Sequence, residues 1–268
     1  MIYVDHLERR SATETASEHF SAWYEYWGRL GEFHDVDALT GKPLVTRLFG
    51  FENCSVSERR RGEVPAGGSS YGYVMQGSAT ISSDQGAPAG LEEGMWFTSP
   101  DGVTVDLTAD SRVVVSQRVG FKGLRAFGGP IETAGRLRYI DLCSDTLLAC
   151  PPLLGDPCLN HLHFPPRIEQ TEHTHPSLRS GAIARGQGCC ETPAGRSELA
   201  PGVIFSIPAE GRHRFVTEDR TLDVIAYHPD SDWGPTDQEH PMINRTWIDG
   251  KKLDNSSGVH AEADVIGR

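Results

Sequence analysis

Hydrophobic and polar residues follow two different patterns along this chain, and the first pattern lies near its start. Within residues 12–31, five large apolar residues recur at a spacing typical of one face of a helix. They are Phe20, Trp23, Tyr24, Trp27 and Leu30. The spacing predicts an N-terminal helix, and we expect its apolar face to pack across a sheet or against a second copy of the chain.

The second pattern begins near residue 42 and consists of short β-rich runs separated by Gly, Pro, Asp and Ser. Because no helical pattern intervenes, these runs predict an antiparallel barrel or sandwich. A stretch with many loop signals, residues 121–160, separates two series of runs. The predicted strands are 43–49, 72–75, 79–82, 95–98, 104–107, 112–119, 158–164, 180–185, 188–192, 203–207, 213–216 and 222–227.

The two series of predicted strands resemble each other in layout. Residues 71–79 parallel residues 181–189, and residues 91–100 parallel residues 199–208 at nearly the same separation. We interpret this similarity as a tandem duplication of one barrel domain. The predicted parts of the chain are a helical segment (1–40), a first barrel (41–125), a linker (126–155), a second barrel (156–250) and a flexible tail (251–268).

The composition is that of a folded globular protein, and its charge narrows the choice of partners. The 268 residues are 38% hydrophobic and 23% charged, with a formal net charge of −12. Such an acidic chain argues against a nucleic acid or an anionic membrane as partner. The start shows no secretory pattern, and no apolar run approaches the roughly 18 residues of a membrane helix. Since the six cysteines include no CxxC pair, we expect a cytoplasmic protein with reduced thiols.

Three histidines form the most informative motif. His173 and His175 are two residues apart, so they lie on one face if their segment is a strand. His213 follows later, after a proline and a glycine. Neutral imidazole is a good ligand for divalent transition metals, and three imidazoles leave coordination positions open. The motif predicts a metal centre and, because of the open positions, an enzyme.

These residues and the glycines around them resemble the two motifs of the cupin superfamily. The matching positions are His173, His175, Pro176, Gly186, Gly202, Pro208, Gly211 and His213, with Gly211 displaced by one place. The resemblance covers residues 45–120 and 155–230 and is that of a bicupin. It implies two tandem cupin barrels, of the double-stranded β-helix or jelly-roll type, preceded here by the predicted helix.

The chain departs from the cupin pattern in two places. The family's glutamate ligand is missing because Ser180 stands in its place, which leaves a neutral three-histidine site. The first barrel has no histidine between His34 and His161, and Ser69, Ser70 and Asp101 occupy its motif region. We therefore expect the first barrel to be metal-free and to serve as a scaffold or dimer contact, since cupins are commonly homodimers.

Among cupins, three-histidine sites resemble those of thiol dioxygenases and of diketone- or gentisate-type ring-cleaving oxygenases. The resemblance implies iron(II) and an oxygen-dependent oxidation of a small organic acid, with small-molecule substrate and dioxygen as the partners. Mn, Ni, Cu and Zn are also used in the family, and affinity order alone does not select iron. Two alternatives stay open: an isomerase, epimerase or lyase that uses the ion as Lewis acid, and a non-catalytic ligand-binding protein.

Other polar residues near the motifs are candidates for lesser roles. His161 and His163 could point into the barrel, behind the ligands or toward substrate, although ordinary strand packing also explains them. Arg179 or Arg185 could clamp a substrate carboxylate, with surface salt bridges as the alternative. Tyr227 and His228 lie where a cupin pocket is often lined, and either could act as a general acid or base. The candidates beyond the metal ligands are Tyr227, His228 and Arg185 for catalysis, and His161, His163, Arg179 and Ser180 behind the ligands or at the substrate.

Overall fold

The computed structural model describes residues 15–37, 41–231, 234 and 247–252 of the chain. Within these ranges the regular structure is β-strand, apart from one 3-10 turn at Ile140–Leu142. The all-β class predicted from the strand pattern is therefore confirmed. No helix in the described ranges is long and apolar enough to cross a membrane. From residue 253 onwards, the predicted tail lies outside the description.

The strands fall into four groups along the chain. The N-terminal group is β1 (Thr15–Ala16), β2 (Ser21–Trp23) and β3 (Trp27–Val36). The first half continues with β4 (Pro43–Asn53), β5 (Arg60–Val64), β6 (Gly68–Gln76), β7 (Ser78–Ser83), β8 (Gly86–Glu92), β9 (Trp96–Ser99), β10 (Val103–Leu107), β11 (Ser111–Val119) and β12 (Ala126–Gly128). The second half contains β13 (Leu137–Arg138), β14 (Ser144–Ala149), β15 (Cys158–Phe164), β16 (Arg179–Gly186), β17 (Gly188–Thr192), β18 (Gly195–Leu199), β19 (Ile204–Ile207), β20 (Arg214–Val216) and β21 (Leu222–His228). The last group is a hairpin of β22 (Trp247–Ile248) and β23 (Lys251–Lys252).

The N-terminal segment is extended, and the predicted helix over residues 12–31 was wrong wherever the segment is described. Gly28 has a positive φ of 92°, and Gly31 lies inside β3; glycine is a poor helix former. The backbone groups bond to other strands, because β2 pairs with β19 and β3 pairs with β4. The spacing of the aromatic residues led to the wrong prediction because Phe20 and Trp23 are buried in two different clusters rather than along one helical face.

The first half is built from two antiparallel sheets. A six-stranded sheet has the order β12-β9-β6-β11-β4-β3, and a four-stranded sheet has the order β5-β10-β7-β8. Alternate residues of both sheets point inward and form one apolar cluster, which includes Phe49, Phe97, Val105 and Val113. This cluster is the core of the first half.

The second half repeats this plan with one long and one short sheet. The long sheet has eight strands in the order β1-β2-β19-β16-β21-β15-β14-β13, and the short sheet has the order β18-β17-β20. The apolar cluster that includes Phe164, Ile183, Phe205, Phe215 and Val224 draws residues from both sheets. Residues 126–155, expected to be a linker, contain β12, which pairs with β9, and β14, which pairs with β15.

The two long sheets pack against each other face to face. Leu48 and Tyr71 of the six-stranded sheet share an apolar cluster with Ile225 and Tyr227 of the eight-stranded sheet. The Tyr71 and Tyr227 ring centroids are 5.2 Å apart. The central strands of the eight-stranded sheet, β15, β16, β19 and β21, are therefore buried on both faces. Their alternate residues face either the first half or the interior of the second half. This alternation decides which candidate residues reach the site.

Candidate metal centre

His173, His175 and His213 lie together in the structure. His173 and His213 face each other in an isolated antiparallel bridge, in which each backbone N–H donates to the other carbonyl at 3.0 and 3.1 Å. His175 lies just beyond the bridge, where its carbonyl accepts the Glu210 N–H at 2.8 Å. One ring nitrogen from each histidine lies within 4.8 Å of the other two. Among the described residues this is the one group of at least three His, Cys, Asp or Glu with such spacing.

Two of the rings are oriented by backbone carbonyls. His173 Nδ1 is 2.8 Å from the Thr171 carbonyl oxygen, and His213 Nδ1 is 2.8 Å from the Gly211 carbonyl oxygen. A carbonyl only accepts, so each Nδ1 carries the proton and each Nε2 keeps its lone pair. Metal-binding histidines generally show this arrangement, in which a hydrogen bond to the second nitrogen orients the ring.

The turn that contains Asp141 supports this orientation. One Asp141 carboxylate oxygen accepts the Thr171 N–H at 2.7 Å, and the other accepts the Thr171 hydroxyl at 3.1 Å. Thr171 is thereby held in place, and its carbonyl in turn holds the His173 ring. No sequence pattern indicates this role, because Asp141 and Thr171 are far apart in the chain.

The electrostatic surroundings favour neutral imidazoles. Burial, with a contribution from the charge of Arg179, lowers the pKa of His175 to about 2. Burial likewise lowers the pKa of His213 to about 4, although its hydrogen bond to the Gly211 carbonyl opposes the shift. Both rings are therefore deprotonated near pH 7 and able to bind a metal. The donor set fits a divalent transition metal.

The three histidines line a cavity inside the second half. Its volume is about 500 Å³ including the part open to solvent. Most of its wall is apolar, with a few polar groups that converge on the interior. The lining residues are Tyr139, Asp145, Asn160, Leu162, Phe164, Gln170, His173, His175, Arg179, Phe205, Ile207, His213, Phe215, Val224, Ala226 and His228.

Of the two neighbours Arg179 and Ser180, the arginine lines the cavity. Ser180 points to the opposite face of the sheet, where its Oγ lies 2.9 Å from Oγ of Ser116. Arg179 is buried and donates to the Ser177 hydroxyl at 2.6 Å. The strand next to the histidines therefore presents a cation rather than a carboxylate to the cavity. Arg179 Nη1 also lies 3.7 Å from Oδ1 of the buried Asp230, which compensates part of this charge.

The two candidates on β21, His228 and Tyr227, point to opposite faces of the sheet because side chains alternate along a strand. His228 lines the cavity, and its ring centroid is 6.4 Å from that of His175. Burial lowers the pKa of His228 well below its usual value, and the charge of Arg179 adds to this effect. Tyr227 points the other way, toward Tyr71 of the first half, and does not line the cavity.

His161, His163 and Arg185 meet around Asp223 on the face of the sheet that points away from the cavity. Asp223 Oδ1 is 2.8 Å from His161 Nε2 and 2.9 Å from His163 Nδ1, while Oδ2 accepts the Arg185 Nε–H at 3.0 Å. A bulge in β16 next to Ala184 turns Arg185 to this side. The structure therefore does not bring these three residues to the metal centre.

Asp145 and Asn160 line the cavity, and the sequence interpretation missed both. Asn160 Nδ2 donates to Asp145 Oδ2 at 2.9 Å. A usable signal was present, because Asn160 alternates with the apolar Leu162 and Phe164 on β15. The sequence interpretation considered His161 and His163 instead, and these alternate with the cavity residues and lie on the opposite face of the strand.

No protein-family model and no curated protein matches the sequence, but solved structures do. A cupin 2 conserved barrel domain protein from Leptotrichia buccalis matches with a TM-score of 0.49 and 12% identity, over 70% of this chain and 84% of that chain. A putative glyoxylate induced protein from Pseudomonas aeruginosa matches with a TM-score of 0.52 and 12% identity, over 87% and 97% of the two chains.

A salicylate 1,2-dioxygenase variant from Pseudoaminobacter salicylatoxidans, in complex with gentisate, is similar too. Its TM-score is 0.52 at 10% identity, and the match covers 81% of this chain and 83% of that chain. At these identities the likeness shows the fold alone. The chemistry of this protein depends on the site itself.

Proposed function

We propose that this protein is a mononuclear non-haem metal dioxygenase that acts on a small organic acid, with iron(II) as its metal and His173, His175 and His213 as the ligands. The observation that carries the proposal is the orientation of the His173 and His213 rings, whose Nδ1 hydrogen bonds leave Nε2 available. When bound, iron(II) would supply open coordination positions for a substrate and for dioxygen. Mn, Ni, Cu and Zn also suit imidazole ligands, so the metal has to be measured.

The same proposal includes two tandem cupin barrels, of which only the second binds metal. Its support is the repeated plan of one long and one short antiparallel sheet around an apolar cluster. In the first half, the Asp101 carboxylate accepts the N–H groups of Gly67 and Gly102 at 2.9 and 2.8 Å, which gives it a structural role in a loop. A homodimer in solution belongs to this proposal, and light scattering on the purified protein tests it.

The charges around the cavity favour an anionic substrate. Three imidazole ligands leave the charge of a divalent ion intact, and Arg179 lines the same cavity, although Asp230 at 3.7 Å compensates part of its charge. A carboxylate or enolate would compensate the charge of the ion and accept hydrogen bonds from Arg179. Leu162, Phe205 and Phe215 would enclose the apolar body of the substrate and limit the access of water.

His228 is the candidate for a general base in the cavity. Its ring is neutral near pH 7 because burial lowers its pKa, and it lies in the same cavity as the metal ligands. A neutral imidazole in this place could accept a proton from a hydroxyl of the bound substrate. Tyr227 takes no part in this proposal, since it faces the first half.

The experiment that tests the proposal combines metal analysis with oxygen uptake. The protein would be purified without oxygen, its metals quantified by mass spectrometry, and the iron(II)-loaded form mixed with gentisate, salicylate, a 1,3-diketone or cysteine. Gentisate and salicylate come first because a salicylate 1,2-dioxygenase shares the fold. The metal-free protein is the matched control for each substrate.

About one iron per chain, together with oxygen uptake that requires both iron and substrate, would support the dioxygenase. One tightly bound Zn, Mn or Ni per chain without oxygen uptake would replace it with a Lewis-acid isomerase or lyase. Absence of every metal after loading would contradict the metal centre itself.

A further inference from the structure

Asp145 and Asn160 present two unsatisfied oxygen atoms in the wall of the cavity. Asn160 is 5% exposed, and its Nδ2 donates to Asp145 Oδ2 at 2.9 Å. The remaining oxygens, Asp145 Oδ1 and Asn160 Oδ1, are buried and have no hydrogen-bond partner among the described residues. A buried acceptor generally has a hydrogen-bond donor, so such a pair favours a donor from the cavity, which a bound ligand could supply.

We propose that Asp145 and Asn160 form the recognition site for a primary amino group, so that the ligand of this cavity is a small organic acid with an amine at its other end. The proposal rests on the proposed function only in treating the cavity as the substrate site. It narrows the substrate class from organic acids to amino acids in the chemical sense.

An amino group fits the pair better than a hydroxyl group for two reasons. Two acceptor oxygens need two donors, and a primary ammonium offers three N–H donors whereas a hydroxyl offers one. An ammonium would also compensate the charge of Asp145, and charge-assisted hydrogen bonds are stronger than neutral ones.

The surroundings of Asp145 compensate its charge only in part. Burial raises the pKa of Asp145, against the hydrogen bonds from the Asn160 side chain and the Thr146 backbone N–H, which lower it. Among the described charged groups, the one that lowers this pKa is His161, which lies on the opposite face of β15 and is bonded to Asp223. A cationic group of the ligand would supply the missing charge from inside the cavity.

The strand register places Asp145 and Asn160 away from the part of the cavity that contains Arg179 and the three histidines. Asn160 pairs with Ala226, and His228 lies two residues further along β21 on the same face. Two residues of a strand span about 7 Å. Asp145 pairs with Leu162, which is a further two residues away from His228. A ligand with its carboxylate near Arg179 and the histidines would therefore reach the pair across a short apolar body.

Binding of two matched probes tests this recognition. 4-(Aminomethyl)benzoate and 4-methylbenzoate have the same carboxylate and ring, and only the first carries an amino group. Calorimetry would measure their dissociation constants with the wild-type protein, in metal-free and zinc-loaded forms, and with Asp145→Asn and Asn160→Leu. Asp106→Asn, which removes a carboxylate bound to Arg61 in the first half, is the matched control.

We expect the wild-type protein and Asp106→Asn to bind the amino probe at least about tenfold more tightly, as expected for a charge-assisted hydrogen bond. Either cavity variant should reduce this preference to about twofold or less, because one of the two acceptors is then lost. Either variant that folds, as judged by its thermal transition, is sufficient for the test. Equal affinity of the wild type for both probes, an undiminished preference in both variants, or no binding of either probe would overturn the proposal.

The outcome is distinguishable from a failure of the proposed function. Selectivity for the amino group is measured in the metal-free protein as well, where Arg179 still lines the cavity. A protein that holds no iron but retains this selectivity would contradict the dioxygenase and leave the amine site standing.

Discussion

The hydroxyl oxygens of Ser116 and Ser180 lie 2.9 Å apart and join the two halves of the protein. Ser116 is in β11 of the six-stranded sheet, and Ser180 is in β16 of the eight-stranded sheet. Both residues are buried. The residue that occupies the expected place of a glutamate ligand thus serves the packing of the two long sheets.

Substitution of these serines should show coupling between the halves. Ser116→Ala or Ser180→Ala alone leaves one buried hydroxyl without its partner and should lower the free energy of unfolding by about 1–3 kcal/mol. The double variant should lose less than the sum, because both hydroxyls are then gone. Urea unfolding of the four proteins measures this coupling. Strictly additive losses of unfolding free energy would show that the hydrogen bond contributes nothing. A lower metal content of Ser180→Ala would show that Ser180 does support the metal centre.

His175→Ala should abolish metal binding, whereas His161→Ala should leave it intact. His175 belongs to the three-histidine group, and His161 lies on the other face of the sheet, bonded to Asp223. Loss of a ligand should weaken binding by more than the roughly 100-fold that loss of a residue supporting a ligand can cost. Competition with a chelator of known affinity gives the dissociation constants. Full metal occupancy in His175→Ala would refute the assigned centre, and loss of metal in a folded His161→Ala would refute the placement of that ring.

Asp223→Asn should change the pH dependence of stability. Although burial opposes it, the hydrogen bonds from His161 and His163 and the charge of Arg185 hold the pKa of Asp223 below its usual value. A carboxyl group with a lowered pKa contributes stability above its unfolded-state pKa of about 3.9, and this contribution disappears as the pH falls through the folded-state pKa.

The variant should therefore lose about 3–5 kcal/mol at pH 7, because one partner of a buried charged network is removed. Its stability should then decline less steeply than that of the wild type below about pH 4. Urea unfolding between pH 3 and 7 measures both effects. Asp106→Asn, which breaks a more exposed pair with Arg61, should cost at most about 1 kcal/mol. Parallel pH curves for Asp223→Asn and the wild type would contradict the lowered pKa.

Phe20→Ala should destabilise the protein strongly. Phe20 is 1% exposed, and its ring stacks on Phe205 with the centroids 6.0 Å apart. Truncation of a buried phenylalanine costs about 3–5 kcal/mol. Phe127→Ala is the matched control because Phe127 is 37% exposed, so its loss should be small. Thermal and urea unfolding measure the difference. Equal losses for the two variants would contradict the packing of the N-terminal segment on the second half.

The strand pattern was informative because turns and β-branched residues are local signals. The predicted strands 158–164 and 188–192 coincide with β15 and β17, and the other runs in the second half lie within one or two residues of the observed strands. The N-terminal segment failed because its aromatic residues pack on two different clusters. A spacing of three or four residues between such residues imitates a helix, and only the pairing partners, β19 and β4, reveal the strands.

The grouping of the three histidines was predictable because their motif is short and its residues have a known chemistry. The side of the sheet reached by His161, Arg185 and Tyr227 was not predictable. A strand buried on both faces has apolar residues at odd and even positions alike, so its alternation does not say which face is the cavity. Arg185 depends further on a bulge, which shifts the alternation by one residue and has no clear sequence signal.

The path of the N-terminal segment links the two halves through their sheets. Its β2 completes a sheet of the second half, and its β3 then completes a sheet of the first half. A fragment that lacks this segment would present the bare edges of β4 and β19 to solvent, and bare strand edges promote aggregation. The leading strands connect the sheets of both halves, so that a recombined or shortened protein would have to carry this segment with it.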